Sequence, residues 1–164
     1  ITSVSCINMA DIVANCELRN SAGKTVKGSE VLATKITGLY FSAHWCIWCR
    51  RFTPILKNFY EQLLDNEEFE IIFVSADKSE KALMNYYRDA HGKWLYLPYG
   101  CDEINTLWNR YNIRTMPTLI ILRPGGDVIT RDAVAHVKRR TPQETLQQWK
   151  NGEIDEKKSK CSFM

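Results

Sequence analysis

The sequence is poor in charge excess, in histidine and in long apolar runs. Lys and Arg number 22 against 19 Asp and Glu, a net charge of +3. That excess is too small to argue for nucleic acid as a partner, and no Lys/Arg stripe interleaved with aromatics accompanies it. No apolar run approaches the ~18 residues of a membrane span. The N-terminus lacks the basic region and apolar block of a secretory signal. It opens on Ile1 rather than Met, so a processed or trimmed chain stays open. Only three histidines occur, and His91 and His136 stand far apart. A zinc site built on one CxxC needs a second pair of ligands, and no second CxxC or HxxxH exists. No metal is therefore expected. Internal repeats and a second-domain boundary are also missing.

What is present suits one soluble domain. The chain has 164 residues, 45% apolar and 25% charged, enough to bury a proper core. Its six cysteines are Cys6, Cys16, Cys46, Cys49, Cys101 and Cys161. At such scattered spacings, in a chain this long, they do not form a small disulfide scaffold. With no secretion signal in view, a reducing, cytoplasmic setting is expected, where thiols persist. Cys6, Cys16 and Cys101 read as small apolar side chains under a sheet or beside a loop.

The pattern along the chain alternates. Residues 1–10 carry no clear signal. DIVANCEL, residues 11–18, reads as a strand, with a turn at Gly23 and a short second strand after it. The β-branched and aromatic run around residues 36–42 predicts a buried strand. From Ile47 the apolar residues Phe52, Ile55, Leu56, Phe59 and Leu63 recur at helical spacing, which predicts a helix to about Asp65. Pro54 inside it predicts a kink. FEIIFVSAD is a continuous apolar strand. A helix follows, with Ser79 as N-cap and Gly92 as its stop. CDEINTLWNRYNI reads as a short helix, TLIILRPGGDVI as a hairpin and ETLQQW as a last amphipathic helix. This order implies an α/β fold: a mixed sheet with helices on both faces.

The stretch WCIWC, Trp45 to Cys49, lies where the buried strand hands over to the first long helix. If the helix begins near Cys46, that thiol faces the unpaired N–H groups of the first turn and the positive end of the helix dipole. Both favour a thiolate. Cys49, three residues on, shares the same face one turn deeper. Disulfides need Cα separations of roughly 4.4–6.8 Å, and such a pair falls within that range. Cys46 can thus act as nucleophile and Cys49 as resolving thiol, with no cofactor beyond their own redox-active disulfide. Arg50 and Arg51 follow directly and His44 precedes, all candidates to tune the potential. Two inert core cysteines are the competing reading, although a helix start after a buried strand is a poor place for inertness.

The stretch YFSAHWCIWCRRFTPILKNFY, Tyr40 to Tyr60, together with FEIIFVSAD, WLYLPYG, YNIRTMPTLIIL and GGDVITRDA, resembles the thioredoxin-like superfamily, on its tryparedoxin and nucleoredoxin branch. The resemblance covers roughly residues 11–150, with residues 1–10 as an N-terminal extension and 151–164 as a charged flexible tail. It implies a thioredoxin fold, a central mixed β-sheet flanked by helices, here with an N-terminal β-hairpin extension. It implies a cis Met116–Pro117 bond facing the cysteines, with the Met116 backbone holding an extended substrate and Trp45, Ile47 and Trp48 forming an apolar rim. It also implies disulfide-containing protein substrates, peroxiredoxin-type peroxidases among them, and a donor that is a reductase, glutathione or trypanothione. A redox-sensitive binding protein of nucleoredoxin type is the rival reading.

Two departures from that family stand out. Gly-Pro or Pro-Pro between the cysteines is replaced by Ile47-Trp48, which should change the acidity of Cys46 and the reduction potential, ~30 mV being worth ~1.4 kcal/mol for a two-electron couple. The buried Asp that thioredoxins carry six positions before the first cysteine is Tyr40 here. Asp77 is a candidate substitute as proton acceptor, or a surface cap. Finally, the chain ends CSFM, Cys161 to Met164, behind Lys157, Lys158 and Lys160. That outline matches a prenylation box. One lipid with three lysines would give weak membrane association, opposed by Glu153, Asp155 and Glu156. A nuclear or membrane-bound fraction would follow from it.

Overall fold

The computed structural model describes residues 16–152. Residues 11–15 of the expected first strand, the 1–10 extension and the tail with Cys161 lie outside them. The chain order is β1 Glu17–Arg19, β2 Thr25–Lys27, α1 Gly28–Thr34, β3 Ile36–Ser42, α2 Ile47–Glu61, β4 Phe69–Ser75, α3 Glu80–Ala90, β5 Leu95–Tyr96, α4 Asp102–Arg110, β6 Thr118–Leu122, β7 Val128–Thr130, α5 Ala133–Arg139 and α6 Pro142–Asn151.

These strands form one sheet in the order β2-β1-β5-β4-β3-β6-β7. The central pairs β3/β4 and β4/β5 are parallel, and β1/β2, β1/β5, β3/β6 and β6/β7 are antiparallel. The β1–β2 hairpin therefore widens the sheet through Arg19 opposite Tyr96. Strand side chains alternate between two cores. Tyr40, Phe73, Leu119 and Ile121 face the layer of α2, α3, α5 and α6. Leu39, Phe41, Val74 and Ile120 face the layer with α1 and α4. Burial on both sides explains why β3, β4 and β6 are apolar nearly throughout.

The helix signals hold at their starts better than at their ends. The Ser79 hydroxyl accepts the Ala82 N–H at 3.1 Å and caps α3. Helix α2 runs unbroken through Pro54 but stops at Glu61, short of Asp65. Helix α3 ends with His91 in extended conformation, so Gly92 is no left-handed stop. Its lack of a side chain matters for another reason: a Cβ there would stand 2.6 Å from the Trp94 indole. Helices α1 and α5 had no clear signal, being short, with few buried positions each. His91 and His136 each accept an indole N–H at 3.1 Å, from Trp94 and Trp149.

Register places the site. Phe41 pairs with Thr118 and Ser42 with Ser75. The residues leaving β3 therefore run beside those entering β6 and those leaving β4. The three segments 43–46, 116–117 and 76–77 meet at one end of the sheet.

Candidate active site

Helix α2 grows from that end with Cys46 as its N-cap. The Cys49 N–H donates to Cys46 Sγ at 3.3 Å, and the Arg50 N–H to the Cys46 carbonyl at 3.1 Å. A thiolate accepts such an N–H more strongly than a thiol does. Cys46 keeps 9% of its surface and Cys49 none. Both are free thiols. Burial pushes the Cys49 thiol up to about 12, with Cys46 adding to the rise and the Ala43 backbone and Ser42 hydroxyl opposing it. The pair thus splits into one reachable sulfur and one shielded, protonated sulfur.

Across from them the Met116–Pro117 bond is cis. The Met116 carbonyl lies 3.9 Å from Cys46 Sγ and accepts from it. Trp45, Ile47 and Trp48 are 56%, 51% and 63% exposed and rim the thiol. The Arg51 guanidinium sits 5.1 Å over the Trp48 ring, and Lys78 Nζ 5.8 Å over Trp45. Beside the rim runs a groove of about 330 Å³, walled by Trp48, Ile55, Val134 and Pro117 and carrying the cations Arg51 and Lys138.

The loop before Cys46 is pinned from below. Asp77 Oδ1 accepts the His44 N–H at 2.9 Å, and Oδ2 accepts the Ser75 hydroxyl at 2.7 Å. Trp45 Nε1 donates to the Ala76 carbonyl at 3.1 Å. Asp77 is buried, so it is no surface cap, and its two oxygens are engaged with the loop rather than with Cys49. Arg50 and His44 are exposed. The His44 ring packs edge-on to Tyr86 at 5.7 Å.

Beneath Cys49 lie four buried hydroxyls. Thr53 donates to the Cys49 carbonyl at 2.8 Å. Tyr40 and Tyr86 each lie 2.6 Å from Thr53 Oγ1, and Tyr86 lies 2.8 Å from Ser42 Oγ. Tyr40 therefore reaches the site through Thr53. Ser42, Thr53 and Tyr86 were missed as site residues by sequence reasoning. A signal existed for two of them: Ser42 follows Tyr40 by two on the same strand face, and Thr53 follows Cys49 by four on the same helix face. Tyr86 comes from a distant helix and had none.

A family model for thioredoxin-like proteins matches residues 34–128. The chain is 40% identical to nucleoredoxin from Mus musculus over 129 residues, covering 77% of this chain and 29% of that protein. It thus spans under a third of that curated relative. Among solved structures it resembles a thioredoxin from Wuchereria bancrofti at 46% identity and TM-score 0.74, covering 85% of this chain and 96% of that one. It also resembles tryparedoxin I from Crithidia fasciculata at 33% identity and TM-score 0.71, covering 80% and 90%. The CxxC at a helix start, the facing cis-proline and these likenesses agree. The chain belongs to the thioredoxin-like family, on its tryparedoxin and nucleoredoxin branch.

Proposed function

We propose that the chain is a dithiol–disulfide oxidoreductase that reduces protein disulfides. The observation that carries this is the asymmetry of the pair. Cys46 is reachable, accepts a helix N–H and faces the Met116 backbone, while Cys49 is wholly buried three residues behind. Cys46 thiolate attacks a substrate disulfide and forms a mixed disulfide, releasing one substrate thiol. Cys49 then attacks Cys46 Sγ and releases the second. The enzyme is left as its own disulfide and is returned to the dithiol by a low-molecular thiol or a reductase. Backbone N–H and C=O groups of Met116 pair with an extended substrate segment, and Trp45, Ile47 and Trp48 cover its apolar side chains. Peroxiredoxin-type peroxidases carry disulfides of the required kind. Multiple turnovers in the reduction of insulin or glutathione disulfide test the reading; a single stoichiometric reaction speaks against it.

The three exposed rim residues favour one second reading. A crowded, apolar entrance suits a redox-sensitive binder, whose partner associates with one oxidation state and whose turnover is slow. Equal partner affinity for the reduced and oxidised forms rules that out. We further place the protein in a reducing, cytoplasmic setting, in which thiols persist.

A further inference from the structure

We propose that Thr53 is the positioning residue of the resolving step: its hydroxyl ties the backbone of Cys49 to β3 and α3, and so holds the buried thiol in line with the Cys46 sulfur. This rests on the dithiol reading above.

Cys49 is gripped at both ends of its own residue. Its N–H donates to Cys46 Sγ at 3.3 Å, and its carbonyl accepts the Thr53 hydroxyl at 2.8 Å. The first grip is strongest on a free thiolate: once Cys46 carries substrate in a mixed disulfide, its sulfur is uncharged and accepts weakly. The second does not depend on that sulfur. A Thr hydroxyl on the carbonyl four residues back is a common local bond in helices. What converges on it is not local: Tyr40 from β3 and Tyr86 from α3 each lie 2.6 Å from Thr53 Oγ1. Each hydroxyl has one proton to give, and a carbonyl has none. Thr53 therefore spends its proton on Cys49, and both phenols donate to Thr53. Tyr86, its proton spent, accepts from Ser42 at 2.8 Å. Every proton of the network thus points toward the Cys49 carbonyl, and bonds in such a chain strengthen one another. All four hydroxyl-bearing residues are buried, which keeps bulk water from competing.

The helix ladder is incomplete at this point. Pro54 lies inside α2 and has no N–H for the Arg50 carbonyl, so a rung is missing directly after Cys49. The turn that carries both thiols is joined to the body of α2 by one backbone bond fewer. Thr53 adds a tie from that turn to the sheet and to α3. In the resolving step, the Cys49–Cys46 bond forms as the bond from Cys46 to substrate breaks. The electron pair goes to the substrate sulfur, which leaves as a thiol carrying the proton that Cys49 gives up. No outside oxidant or reductant enters. The attacking sulfur has no exposed surface and cannot swing in from solvent, so its place is set by its backbone. A misplacement of about 1 Å can slow a reaction ~10²-fold.

The test is rapid mixing of the intact reduced protein with limiting 5,5′-dithiobis(2-nitrobenzoate), followed by acid quenching and mass spectrometry. A thionitrobenzoate adduct on Cys46 rises with attack and decays with resolution. Peptide mapping keeps it apart from adducts on the other cysteines. Thr53→Val stays close to the native shape and removes the hydroxyl. It should slow the decay by about tenfold to a hundredfold and leave the rise unchanged. Its Cys46–Cys49 couple should become less reducing, by about 30 mV for each tenfold lost in the equilibrium constant. Thr53→Ser keeps the hydroxyl and should restore both. Tyr40→Phe combined with Tyr86→Phe removes the anchors without leaving a phenol unpaired, and serves where Thr53→Val does not fold. It too should slow the decay and spare the rise. An unchanged decay in these variants, a rise slowed as much as the decay, or a Thr53→Ser that resolves no faster than Thr53→Val overturns the role of Thr53 alone. A wild-type adduct that never decays overturns the dithiol reading, and this role with it.

Discussion

At the scale of single residues, the difference in environment between two identical thiols comes from one helical turn. Cys46 caps α2 and meets an N–H; Cys49 is buried against hydroxyls and held neutral. Replacing Cys46 with Ser should abolish turnover with disulfide substrates, because a serine hydroxyl cannot form the mixed disulfide. Cys49→Ser should still attack once and then stop as a mixed disulfide, visible as an intact mass with substrate attached. A Cys49→Ser variant that turns over normally would break the two-thiol scheme. The placement of these two cysteines was legible because i,i+3 spacing at a strand-to-helix junction sets one thiol at the helix start and the other one turn deeper. Tyr40 was legible only as a missing Asp, since Thr53 lies 13 residues further on and Tyr86, which it meets through Thr53, another 33 beyond that. For Asp77, sequence could not show that its oxygens accept the His44 N–H and the Ser75 hydroxyl.

At the scale of elements, α2, the segment entering β6 and α5 build the groove beside the thiol pair. It carries Arg51 and Lys138 between apolar walls, and among the described residues no Asp or Glu lines it. A disulfide peptide with Glu beside its cysteine should therefore be reduced roughly threefold to tenfold faster than the Lys peptide at low salt. Raising the salt should close that gap. Arg51→Glu with Lys138→Glu should reverse the order; an unchanged order would remove the groove from recognition. Strands β3, β4 and β6 were legible because both their faces are buried. Helix α5 was not, because AVAHVKR buries only Ala133, His136 and Val137, too few positions for a periodic signal. The segment after α3 gives a further test. Gly92→Ala drives a Cβ to 2.6 Å from Trp94. Overpacking of this kind costs about 1–3 kcal/mol, read as a lower midpoint in urea unfolding. A stability equal to wild type would mean that the indole moves aside freely.

At the scale of the whole molecule, the core beside the site contains a buried base. His91 packs among Phe73, Tyr86 and Trp94, with ring centroids at 4.2, 4.3 and 5.2 Å. Its Nδ1 accepts from Trp94, so the proton of the neutral ring sits on Nε2, which is buried without a hydrogen-bond partner among the described residues. Burial lowers its pKa from 6.5 to about 3. The sign follows from the depressed value of a base. Above about pH 6.5 neither state is charged there, and stability is untouched. As pH falls from 6.5 toward 3, the unfolded chain binds the proton and the folded one does not. Stability should then drop by up to about 1.4 kcal/mol per pH unit. Glu70, raised mainly by burial, acts in the opposite sense in the acid range. Urea midpoints between pH 7 and 4.5 should fall more steeply for wild type than for His91→Gln. Parallel slopes would show that His91 is not the group responsible. Sequence alone marked His91 only as an unpaired metal ligand, since its aromatic surroundings arrive from β3, β4 and α3.

The central claim is that Cys46 and Cys49 form one working redox couple. A redox titration of the pure protein in thiol buffers, with alkylation of free thiols and location of the modified cysteines by mass spectrometry, tests it most directly. The account predicts that Cys46 and Cys49 convert together as a single two-electron couple, with Cys46 alkylating first at neutral pH. Both thiols remaining reduced and unreactive across the range, or Cys49 alkylating before Cys46, would contradict it.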